Sequence, residues 1–64
     1  SSRFTGTIQE ILVESESKEK GIFTGRTQYN LLVHFAGNEE MLGKFVNVKL
    51  DECKGFYYLG TLVD

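Results

Sequence analysis

Sixty-four residues make one small domain, and a chain of that length buries only about 60% of the surface its unfolded form exposes. Seven Lys and Arg stand against nine Asp and Glu, a formal net charge of -2, with a single Cys and a single His. That inventory excludes an internal disulfide and a Cys/His zinc cluster, and the length leaves little room for a catalytic cavity. No stretch reaches the ~20 apolar residues that cross a bilayer, and no charged start leads into a secretory apolar run. The expectation is a soluble, cytoplasmic, monomeric module without a membrane role. The chain opens on Ser1-Ser2 with no initiator Met, which suits a fragment of a longer polypeptide or a few tag residues. Residues 1–5 therefore read as a linker or tag remnant, and 6–64 as the domain.

The absence of proline, the seven glycines and the many β-branched and aromatic residues predict short strands joined by tight turns. The first strand covers residues 7–13, with its alternation slipping near Glu10 and Ile11, as at a β-bulge that bends a strand toward a barrel. The charged, serine-rich residues 14–21 read as a loop. A second strand spans 22–27 and a third 30–36, joined by a turn at Gln28 and Tyr29 in which Asn30 tolerates left-handed backbone geometry. In the third strand Leu31, Val33 and Phe35 share one face and are assigned to the core, with Leu32 and His34 opposite. Gly37-Asn38 breaks the chain, and residues 39–42 form one helical turn.

Residues 43–50 give the clearest alternation, with Val46, Val48 and Leu50 on one face and Phe45, Asn47 and Lys49 on the other. Residues 51–55 read as a turn holding Cys53 as a spare thiol, and 56–63 as the last strand, where the missing side chain of Gly60 allows a sharp bend or a close backbone approach. Phe4, Phe23, Phe35 and Phe45 are assigned to core or rim packing. Five short strands with glycine kinks predict an all-β fold, a small five-stranded antiparallel barrel of the OB kind, closed or partly open.

Chemistry concentrates in the turn after the second strand. Arg26, Thr27, Tyr29 and Asn30 place a guanidinium, a hydroxyl, an aromatic ring and an amide on a rigid support, the donor set that phosphate and sugar recognition requires. In an OB-type barrel ligands lie across the second and third strands and the loops flanking them, where Lys18 and Lys20 also fall. Lys44 adds a cation at the start of the fourth strand. Each position has a second reading. Arg26 can pair with Glu10 or Glu14, Thr27 and Asn30 can serve the turn alone, and Tyr29 can pack over the barrel rim. The net negative charge works against nucleic-acid affinity, so the expected contact is weak, an accessory grip beside a larger and more basic partner. No Ser/His/Asp or Cys/His set can be assembled, and the chain is not expected to be an enzyme by itself.

Several blocks carry a family resemblance: Ile11-Leu12-Val13-Glu14; Thr24-Gly25-Arg26-Thr27 followed by Asn30; Val33-His34-Phe35 with Gly37; Leu42-Gly43-Lys44-Phe45-Val46-Asn47-Val48; and Leu59-Gly60-Thr61-Leu62. Over residues 6–63 the chain resembles a TRAM domain, the C-terminal RNA-binding module of tRNA methylthiotransferases of the MiaB type. The resemblance implies a barrel that helps a radical S-adenosylmethionine enzyme hold its tRNA, with the anticodon stem-loop as the region contacted. It places the iron-sulfur clusters and S-adenosylmethionine in catalytic domains of the same polypeptide, with no cofactor in this domain. The aromatic turn Phe56-Tyr57-Tyr58 departs from the polar turn expected of the family. It keeps open an alternative, a structural or protein-interaction barrel of the SH3 or tudor kind docked on the catalytic body.

Overall fold

A computed structural model describes residues 3–63 and contains five strands: β1 (Ile8–Glu16), β2 (Ile22–Thr27), β3 (Leu32–Ala36), β4 (Phe45–Cys53) and β5 (Tyr58–Val63). A 3-10 turn at Glu39–Met41 precedes β4, with the Asn38 side chain accepting a hydrogen bond from the Glu40 N–H at 3.0 Å. The linker or tag reading of Ser1 and Ser2 and the end of the domain at Asp64 lie outside the described residues. The strands close in the order β1-β2-β3-β5-β4, the small OB-like barrel expected. One pair, β3 with β5, is parallel. A ring with an odd number of strands cannot alternate direction all the way round, so closure forces at least one parallel neighbour.

The core consists of Ile11, Val13, Phe23, Val33, Phe35, Val48, Leu50 and Tyr58, with Phe4, Leu31, Met41, Val46, Cys53 and Leu62 packed around it. Each fully buried large side chain contributes about 1.5–3 kcal/mol relative to exposure. Leu31 and Val46 thus support the core from its margin. Phe45 does not join it and stands 65% exposed. Its side of β4 follows from alternation with Val46, Val48 and Leu50, which overrides its hydrophobicity.

Two other expectations are corrected. β1 runs in unbroken register with β4 from Ile8 to Leu12, and its irregularity falls between Val13 and Ser15. The apparent slip at Glu10 and Ile11 arises because Ile8 is apolar but points outward. β1 and β4 also run about three residues further than predicted, because Ser15 and Glu16 pair with Thr24 and Phe23 while Glu52 and Cys53 pair with Leu59 and Tyr58. Cys53 is therefore a half-buried strand residue rather than a loop thiol. At Gly60 an added Cβ would strike the Val48 side chain and come within 2.9 Å of the Lys49 carbonyl oxygen, the close backbone approach inferred from its place in the last strand.

Candidate nucleic-acid interface

The turn joining β2 to β3 is built around Thr27. Its backbone N–H donates to the Leu31 carbonyl at 3.0 Å, and its carbonyl accepts from Asn30 N–H at 2.9 Å. The Thr27 hydroxyl oxygen accepts from the N–H groups of Tyr29 at 3.1 Å and Leu31 at 3.3 Å. Thr27 is only 5% exposed, so its hydroxyl organises the turn from inside. Asn30 holds φ 65°, a left-handed conformation that Asn accepts more readily than most residues. Tyr29 is 56% exposed and stacks on Phe4, with ring centroids 5.1 Å apart and an interplanar angle of 21°. One ring face is thereby used in rim packing.

Arg26 extends outward beside this turn. Its Nη1 donates to the Asn30 carbonyl oxygen at 3.3 Å, and its Nε lies 3.9 Å from Glu14 Oε1. Both partners of that ion pair are roughly half-exposed, so solvent screening leaves it worth at most about 1 kcal/mol. Of the two carboxylates considered from sequence, Glu14 is the partner.

Strand register brings distant residues together. Leu32 on β3 pairs with Arg26 on β2, Arg26 with Leu12 on β1, and Leu12 with Phe45 on β4. Directly paired residues share a face of the sheet, so these four form one row on the outside of the barrel. Arg26 and Phe45 lie two strand spacings apart, about 10 Å between backbones. Lys44, just before β4, is not a member of this row: its carbonyl accepts from the N–H of the buried Val13 at 2.9 Å, and the residue is exposed beside the row's β4 end. The barrel thus sets Arg26 and the turn of Thr27, Tyr29 and Asn30 on one side of β1 and Lys44 on the other.

Lys18 and Lys20 do not join this group. They occupy the loop before β2, while Arg26 lies near its other end, an extended span of about 20 Å for six residues. Lys20 borders a shallow groove with Glu16 and Glu39, which offset its charge. Glu14 also interrupts any continuous cationic path between Arg26 and the lysine loop. The exposed ring of Phe45 is the one feature of the row that sequence reading assigned elsewhere, although the alternation of β4 already pointed it away from the core.

Across the barrel, His34 lies against Tyr57 with ring centroids 4.4 Å apart, in keeping with a half-exposed strand histidine. Phe56 is 98% exposed at the β4–β5 turn. Among the described residues no three His, Cys, Asp or Glu side chains converge on a metal-sized site. With Cys53 the sole thiol, the residues present do not fit an iron-sulfur cluster. No helix among them is long and apolar enough to cross a membrane.

The TRAM domain family matches residues 2–63. A tRNA-2-methylthio-N(6)-dimethylallyladenosine synthase of Lachnoclostridium phytofermentans is 48% identical over 60 residues, 92% of this chain and 13% of the relative. The synthase of the same name from Carboxydothermus hydrogenoformans is 51% identical over 59 residues, covering 91% of this chain and 13% of its own length. That of Fusobacterium nucleatum is 44% identical over 64 residues, 98% of this chain and 15% of its own length. The chain thus spans only about a seventh of the curated relatives it matches.

Proposed function

We propose, for a chain that belongs to the TRAM domain family, that residues 6–64 form an RNA-binding accessory module through which a methylthiolating radical S-adenosylmethionine enzyme grips its tRNA, with 1–5 as an N-terminal linker whose Phe4 packs against the barrel core. The observation that carries this reading is that β1 is flanked by Arg26 on β2 and by Lys44 at the start of β4, two cations distant in sequence, with the Thr27 turn following Arg26. Arg26 contributes a planar guanidinium suited to bidentate phosphate contact. Asn30 and Tyr29 offer hydrogen bonding and a ring edge at the same turn, and Thr27 holds that turn in shape. Lys18 and Lys20 add longer-range attraction from the far loop.

The RNA partner is tRNA, gripped in its anticodon stem-loop region, while catalysis, clusters and S-adenosylmethionine belong to other domains of a cytoplasmic enzyme. The module itself needs no cofactor and acts as a monomer. An NMR titration with an anticodon stem-loop at two ionic strengths tests this. Backbone amides of residues 25–30 and 43–46 are expected to shift, with affinity falling as salt rises. Shifts confined to 56–63 reject the assignment. The full exposure of Phe56 supports a second contact, in which the β4–β5 turn docks on the catalytic body. Phe56→Ser in a full-length enzyme is expected to loosen that docking without changing RNA affinity of the module.

A further inference from the structure

The chain has five Phe and three Tyr, and nearly all have an evident occupation. Phe23, Phe35 and Tyr58 fill the core, Phe4 and Tyr29 stack on each other, and Tyr57 lies on His34. Phe45 and Phe56 remain, each largely exposed. Phe56 projects from a turn. Phe45 instead stands on a paired strand, next to Lys44 and in one row with Leu12, Arg26 and Leu32.

A ring on a rigid sheet, with Arg26 in its row and Lys44 next to it in the chain, is an arrangement that suits single-stranded RNA, because unpaired bases stack on aromatic faces while phosphates meet basic groups. The acidic residues fit the same geometry. Glu10 and Glu14 are exposed on β1 on either side of Leu12, so they repel phosphate from the middle of the row and leave a neutral base as the group that can lie there. We infer that Phe45 is a stacking platform for one unpaired RNA base, with Leu12 as its apolar floor and Arg26 and Lys44 taking the flanking phosphates. The inference rests on the RNA-binding reading above and adds to it the class of ligand group taken by the row.

The test is fluorescence anisotropy of the 64-residue chain with a labelled single-stranded oligoadenylate and with a blunt RNA duplex, using Phe45→Ala, Phe45→Leu and Phe45→Trp. Phe45→Ala and Phe45→Leu are expected to weaken single-strand binding about tenfold or more, while Phe45→Trp stays within about twofold of the unmodified chain. Duplex binding should not change in any variant, since its bases are already stacked. In the unmodified chain, the Phe45 ring protons should move upfield on adding the oligoadenylate, a readout independent of any variant's folding. Equal single-strand affinity for Phe45→Ala and the unmodified chain overturns the inference and leaves the RNA-binding reading intact. So does full binding by Phe45→Leu, which reduces the contact to an apolar one. Self-association abolished by Phe45→Ala assigns the patch to a second copy instead. Failure of the unmodified chain to bind either RNA in a salt-dependent way removes the underlying reading as well.

Discussion

Replacing Thr27 removes one oxygen that accepts from two backbone N–H groups inside a turn. Thr27→Ala is therefore expected to lower stability by about 1–2 kcal/mol, read by urea denaturation, while Thr27→Ser, which keeps the oxygen, has a smaller effect. Arg26 behaves in the opposite way. It is exposed and its ion pair is weak, so Arg26→Ala should leave stability within about 0.5 kcal/mol. It should nevertheless weaken RNA binding several-fold and reduce the salt slope by about 0.7, the share of a single phosphate on an unpaired strand. Glu14 competes with phosphate for the same guanidinium. Glu14→Gln should raise RNA affinity about two- to fivefold at low salt, a gain that disappears when Arg26 is also replaced. That double substitution separates a guanidinium that meets RNA from one that merely anchors a strand.

The strands depend on two glycines for their spacing as much as on apolar residues for their core. At Gly25, opposite Val13, an added Cβ would collide with the Leu12 carbonyl oxygen and lie 3.1 Å from the Ile11 side chain. Gly25→Ala is expected to cost about 1–3 kcal/mol through overpacking and backbone displacement, again measurable by denaturation. The five strands, the Asn30 turn, the break at Gly37 and the close approach at Gly60 were all readable from sequence, because each has a local cause in alternation or backbone freedom. Strand ends were less readable: Ser15, Glu16, Glu52 and Cys53 carry little β propensity and are strand only because partners pair with them. The candidate site was half readable. The chemistry of residues 26–30 is contiguous, but the approach of Lys44 and Phe45 to Arg26 depends on how β1 registers between β2 and β4, which no local pattern specifies. The same register separates Lys18 and Lys20 from the group.

For the molecule as a whole, a net charge of -2 sets the expected strength of RNA binding. Contacts from Arg26 and Lys44 alone, or with Lys18 and Lys20 added, amount to about two to four phosphates and a slope of log affinity against log salt of about -1.5 to -3. Measurement across a range of about 50–200 mM salt distinguishes such a grip from a strongly basic binder, and a slope near zero would point to contacts without phosphate. The closed ring of strands also governs how any partner can attach. With β3 and β5 joined, every strand among the described residues has a neighbour on both flanks, so none offers a full-length vacant edge for a visiting peptide to zip onto. Addition of a full-length strand would have to displace one already paired. Its associations must pass through individual side chains and loop tips, so that single substitutions can abolish one association while sparing another.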